Sequence, residues 1–207
     1  MTRDLFEGEA PEPGPAGGGA LSSAAPLADR MRPRSLDEVE GPTEVVGANG
    51  FLRRAIAEDR VPSLILCGPP GVGKTTLARL IASQTSSHFV SYSAVATGVK
   101  EMREVLEEAK RLRARKRTIL FLDEIHRFNR SQQDVFLPYV ESGDIVLVGA
   151  TTENPSFELN GALLSRCKVV VLEPLAPEAI ARIVGRALQD IDRGLGARDF
   201  RLDDEGL

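Results

Sequence analysis

Two short stretches of this chain carry residue types that do chemistry only in combination. The first, Gly68-Pro69-Pro70-Gly71-Val72-Gly73-Lys74-Thr75, has the spacing G-x-x-x-x-G-K-[ST], and Thr76 follows it. Glycines let successive backbone N–H groups turn toward one point, and a helix starting at Lys74 would add the positive end of its dipole. That combination cradles phosphate. Lys74 would reach the β- and γ-phosphates of a nucleoside triphosphate, and the Thr75 hydroxyl would ligate Mg²⁺. The second stretch is Ile119-Leu-Phe-Leu-Asp123-Glu124, an apolar run ending in two acids. A buried strand of this kind delivers both carboxylates to its C-terminal end, where ligands bind in open α/β sheets. Asp123 is then placed to hold the metal, and Glu124 to polarise an attacking water. Asp123 lies 49 positions after Lys74, room for the helix, strand and helix that the two halves of such a site require.

Two further residues extend the constellation. The apolar run Ile145–Ala150 ends in Thr151-Thr152-Glu153-Asn154, and a polar side chain there could hydrogen-bond the water or the γ-phosphate. Thr152 is the candidate, with capping of the next helix as its structural alternative. Arg166, in Leu163-Leu-Ser165-Arg166-Cys167, could pair with surface acids or reach a neighbouring subunit's γ-phosphate as an arginine finger.

The elements that must position these groups can be read from periodicity. Ser63–Cys67, His88–Ser93, Thr118–Leu122, Asp144–Ala150 and Lys168–Leu172 are expected strands. Helices are expected over Lys74–Gln84, Val99–Arg117, Ser131–Glu141 and, opening with Pro177, Ala179–Gln189. Alternating strands and helices imply a parallel sheet covered on both faces, an α/β fold. Residues 7–26, dominated by Gly, Pro, Ala and Glu with no aromatic or β-branched side chain, cannot bury enough surface to offset their ordering entropy. The division expected is a disordered tail over 1–25, a nucleotide-binding domain over 26–174, and the beginning of a helical lid over 175–207.

Composition excludes several other classes. The chain has 207 residues, 42% of them hydrophobic, and a net charge of −4, so any nucleic-acid affinity has to come from a local basic patch. Two cysteines a hundred positions apart, Cys67 and Cys167, make neither a disulfide framework nor a zinc site. No apolar run approaches a membrane span, and MTRDLFEG is not a signal peptide. A cytoplasmic protein is expected.

Taken together, these residues resemble the AAA+ ATPase module, in its clamp-loader-like branch, whose parallel sheet has the order 5-1-4-3-2. Pro26–Val39, Pro62–Leu66, Asp123–Phe128 and Gly149–Phe157 are more specific and resemble the replication-associated recombination protein A family, related to Werner-helicase-interacting ATPases. The resemblance covers residues 26–207. It implies Gly68–Thr75 as Walker A, Asp123 and Glu124 as Walker B, Thr152 as sensor 1 and Arg166 as the arginine finger. Leu36 and Val39 would be apolar contacts for adenine, although Pro42 follows Gly41 where relatives carry Gln. The implied activity is DNA-dependent ATP hydrolysis with Mg²⁺ at replication forks, in repair and recombination. The implied partners are single-stranded DNA ends, gaps or forks, single-strand-binding protein, and copies of the chain itself in a tetramer associated with the nucleoid. The chain is expected to stop inside the lid, as the ATPase core of a longer protein or a truncated homologue, with weak turnover and poor assembly. The alternatives are a nucleotide-gated scaffold for replication proteins and a clamp-loader or branch-migration subunit.

Weaker signals complete the reading. Lys110–Arg117 (KRLRARKR) holds six cations in eight positions, a solvated helix end or a phosphate-tracking patch. Asp4-Leu5-Phe6 is similar to the tail of sliding-clamp-binding peptides. His126 is expected to pack or hydrogen-bond rather than catalyse, and Phe128 and Phe157 to anchor core or loops.

Overall fold

The computed structural model describes residues 25–198 and Phe200. The tail expected over 1–25 thus lies almost wholly outside the described residues, as do Asp4-Leu5-Phe6 and residues 201–207.

The N-terminal segment carries α1 (Leu27–Arg30), a 3₁₀ turn at Leu36–Glu38, α2 (Thr43–Val46) and α3 (Phe51–Ala57). Then come β1 (Leu64–Cys67), α4 (Lys74–Ser83), β2 (His88–Ser93), α5 (Val99–Leu112) and β3 (Thr118–Asp123). The second half contains α6 (Arg130–Gln133), α7 (Leu137–Glu141), β4 (Ile145–Thr151), α8 (Pro155–Glu158), α9 (Gly161–Leu164), β5 (Lys168–Val171) and α10 (Pro177–Gln189).

The five strands form one parallel sheet, order β2-β3-β4-β1-β5, which is the expected 5-1-4-3-2 read from the other edge. Period-2 alternation sends side chains to two separate cores. Leu64, Leu66, Ile119, Phe121, Val146 and Val148 pack with Leu52, Leu77, Leu80 and Ile81 beneath α3 and α4. Ile65, Leu120, Leu122, Ile145 and Leu147 pack with Met102, Leu106, Phe136 and Leu163 on the opposite face. Because both faces are covered, the central strands are apolar without interruption, and β1 and β4 are buried throughout.

Three expectations need correction. The helix expected to reach Arg117 ends at Leu112. Beyond it Arg113 turns to Asp144 (3.0 Å) and Arg117 Nη1 donates to the Asp59 carbonyl (2.8 Å), contacts that the mutually repelling cations could not both make along one helical face. The helix expected over Ser131–Glu141 breaks into α6, a 3₁₀ turn at Asp134–Phe136, and α7. Pro138, near the start of α7, has no N–H to donate one turn back. Phe128 is buried and stacks on Phe136 at 6.1 Å, but Phe157 is 74% exposed and anchors nothing. None of the described helices is long and apolar enough to cross a membrane.

Candidate active site

The glycine-rich loop leaves β1 at Cys67 and enters α4 at Lys74. The start of the loop is pinned by the chains flanking β1 on either side. Gly68 N–H donates to the Thr151 carbonyl at the end of β4 (3.2 Å), while Leu172 N–H donates to the Cys67 carbonyl (2.8 Å). A Cβ on Gly68 would stand 2.1 Å from the Leu172 carbonyl oxygen, so only glycine lets the loop start here. Gly73 caps α4 with φ +94°. Among the described residues the N–H groups of Gly71, Val72 and Gly73 find no protein acceptor, which leaves them free for an anion. Lys74 is only 8% exposed, and its ammonium donates to the carbonyls of Gly68 (2.7 Å) and Pro69 (2.9 Å). No carboxylate among the described residues pairs with it. A buried cation beside free N–H donors fits a polyphosphate.

The acids reach the same edge of the sheet. Leu122 is in register with Gly149, and Cys67 with Thr151. Asp123 therefore ends β3 beside the β4 tip and two strand spacings, about 10 Å, from β1. Asp123 Oδ1 accepts the Glu124 N–H at 3.1 Å. Glu124 itself adopts φ +55°, ψ +41°, a left-handed conformation that side-chain-bearing residues seldom take and that clusters at functional sites. Its carboxylate lies 3.2 Å from His126 Nε2. The other ring nitrogen lies 2.9 Å from Thr151 Oγ1. The hydroxyl of Thr75 and the carboxylate of Asp123 are the hard oxygen donors that suit Mg²⁺, and no cluster of three or more protein ligands is found among the described residues. Mg²⁺ that keeps waters and phosphate oxygens as its other ligands needs no such cluster.

Thr152 stands at the tip of β4, between β3 and β1. It does not cap α8: Asn154 does, accepting from Ser156 N–H. Arg166 lies elsewhere. Lys168, two residues on, is in register with Leu64 at the start of β1, a strand's length of about 10 Å from where the loop departs. There Arg166 pairs with Glu141 at 2.5 Å and donates to the Ala162 carbonyl at 2.7 Å.

Leu36 and Val39 line a cleft of about 440 Å³ together with Gly41, Val46, Arg53 and Arg182. Leu36 is largely taken up by the core, being 4% exposed. Arg182 and Arg186 of α10 reach Glu40 (2.8 and 3.7 Å), and Arg193 reaches Glu38 (3.0 Å), so α10 is tied to the segment that carries Leu36 and Val39. Sequence reasoning missed this cluster, along with Thr151 and Arg32, whose guanidinium donates to Thr76 Oγ1 at 3.3 Å. Nothing in local spacing signals partners 25 to 155 positions apart.

A parallel sheet of this order, with a phosphate loop on its central strand and paired acids two strands away, defines a P-loop nucleotide-binding protein. The pattern of the ATPase family associated with various cellular activities (AAA) matches residues 64–175. The chain belongs to this AAA family, in its replication-associated recombination protein A and WRNIP1-like branch. It is 52% identical over 181 residues to replication-associated recombination protein A of Escherichia coli, covering 87% of this chain and 40% of that protein. It is 49% identical over 168 residues to ATPase WRNIP1 of Dictyostelium discoideum, 81% of this chain and 19% of that protein. The chain thus spans well under half the length of these relatives. Among solved structures it is similar to the Thermotoga maritima RuvB Holliday junction branch migration motor. The TM-score is 0.62 at 32% identity, over 77% of this chain and 54% of RuvB.

Proposed function

We propose that this chain is the nucleotide-hydrolysing part of a DNA-dependent ATPase that acts at replication forks and in recombination and repair. The observation that carries the reading is Lys74, a buried cation without a carboxylate partner among the described residues, set in a loop with free N–H donors. The loop and Lys74 hold the β- and γ-phosphates, and Leu36 and Val39 flank the base. Thr75 and Asp123 hold Mg²⁺, which when bound neutralises charge on the phosphate oxygens. Glu124 orients the water, and Thr152 stands beside it at the β4 tip. Arg166, a strand's length from its own loop, serves the γ-phosphate site of a second copy, so hydrolysis occurs between subunits. The names of the relatives, which speak of replication and recombination, support a role on DNA; forked or gapped DNA as the effector, single-strand-binding protein as a partner and a tetramer as the assembly are part of the proposal. The basic run from Lys110 to Arg117 supplies charge for phosphate contacts.

The test is the rate of ATP hydrolysis with and without forked DNA. Glu124→Gln should abolish hydrolysis while ATP still binds, and Lys74→Ala should abolish binding. Indifference to Glu124→Gln would instead fit a nucleotide-gated scaffold, and absence of any adenine-nucleotide affinity would end the reading altogether. The likeness to RuvB favours one second reading, branch migration, which movement of a four-way junction would reveal.

A further inference from the structure

The carboxylate of Glu124 is held by a relay that can be worked out proton by proton. His126 Nε2 lies 3.2 Å from Glu124 Oε2, and His126 Nδ1 lies 2.9 Å from Thr151 Oγ1. Thr151 Oγ1 also accepts the Glu153 N–H at 3.0 Å. A hydroxyl offers one proton and two lone pairs, and a neutral imidazole one proton and one lone pair. With the proton on Nδ1, the lone pair of Nε2 would face a carboxylate. With the proton on Nε2, that N–H donates to Glu124, the Thr151 hydroxyl donates to Nδ1, and its remaining acceptor site takes the Glu153 N–H. Every group is then satisfied. A protonated ring leaves the Glu124 bond in place, with Thr151 accepting twice. Nε2–H therefore donates to Glu124 in either state.

The relay is sheltered and anchored. The His126 side chain is 9% exposed and Thr151 is fully buried. Thr151 also accepts, through its backbone carbonyl, the N–H of Gly68, the first residue of the phosphate loop. One residue at the tip of β4 thus fixes both the loop that holds phosphate and the ring that holds the acid. Ile125, between Glu124 and His126, is fully buried and packs close against Gly149, where an added Cβ would come within 3.0 Å of it. The turn has little freedom to reorient.

We infer that His126 is a positioning residue for Glu124, aiming its carboxylate through Nε2–H and registering it to the phosphate loop through Thr151. This rests on the reading of Glu124 as the residue that orients water. The chain contains two histidines, His88 and His126, so ring ¹⁵N resonances are assignable with a single His88→Gln variant. In the nucleotide-free full chain, neutral His126 should be entirely the Nε2–H tautomer and should stay so in Thr151→Val, whereas Glu124→Ala should admit the Nδ1–H form, because the Thr151 hydroxyl can accept as well as donate. In turnover, His126→Ala should lower kcat about tenfold or more, as expected for loss of a charge-assisted hydrogen bond, and leave nucleotide Kd within about twofold. His126→Gln, whose amide can offer a donor near Nε2, should recover part of the loss. An Nδ1–H tautomer in the parent chain would overturn the inference. So would a kcat for His126→Ala within twofold of the parent while Glu124→Gln abolishes hydrolysis. If Glu124→Gln hydrolyses normally, it is the role of Glu124 that fails, and the two failures are distinct.

Discussion

Replacing Gly68 with alanine tests whether the start of the phosphate loop is set by the neighbouring strand. The new Cβ would sit 2.1 Å from the Leu172 carbonyl oxygen, against an ordinary closest C···O separation of about 3.3 Å, so Leu172 has to recede by about 1 Å. Leu172 N–H donates to the Cys67 carbonyl at 2.8 Å, and losing that link costs about 1 kcal/mol. The φ of +152° adds about 1–2 kcal/mol for a residue with a side chain. The sum is about 2–3 kcal/mol, which in a chain of this size lowers Tm by about 4–12 °C. Gly73→Ala is the control. Its φ of +94° is also unfavourable, but an added Cβ meets nothing within 4 Å, so only the conformational cost of about 1 kcal/mol remains, or about 2–4 °C. Thermal unfolding followed by far-ultraviolet circular dichroism, without nucleotide, measures both. Equal shifts for the two variants would refute the argument that Leu172 crowds Gly68.

Three other outcomes are expected. Copies carrying Glu124→Gln and copies carrying Arg166→Ala, each inactive alone, should regain ATP hydrolysis when mixed; continued silence of the mixture would count against a finger acting on another copy. Hydrogen bonding by Arg182 holds the Glu40 carboxyl below its ordinary 4.5, and the Arg193 backbone and side chain do the same for Asp190 below 3.8. A depressed folded pKa stabilises above the ordinary value and stops doing so as pH falls through the folded one. Protection of the α10 amides, taken relative to the intrinsic exchange rate at each pH, should therefore fall on acidification below about pH 4.5, and Glu40→Gln should weaken that response. Burial pushes the Cys167 thiol up to about 11, leaving about one thiolate in a thousand at pH 8; iodoacetamide should label it far more slowly than glutathione, as mass spectrometry would show.

The sheet and the phosphate loop were legible because their signals are local. Ile119–Leu122 is apolar without a break, as a strand buried on both faces must be, and the spacing from Gly68 to Thr75 is itself the loop. Pro177 made the start of α10 legible, whereas the 3₁₀ turn at Asp134–Phe136 was not, because the periodicity there suggested one helix. The arrangement around Glu124 was not legible. The bond from His126 to Thr151 joins residues 25 apart, and the ties from α10 and Arg193 to Glu40 and Glu38 span 142–155 positions. Such contacts exist only once β3, β4 and the N-terminal segment have taken their places in space.

The separation between Arg166 and the phosphate loop, at opposite ends of β1, also bears on stoichiometry. If Arg166 serves a second copy as proposed, each copy carries one half of two different sites, so a head-to-tail row of n copies completes n − 1 of them, and a closed ring completes n. Specific activity in such a system is a property of concentration as much as of sequence, falling steeply on dilution even while every molecule remains folded.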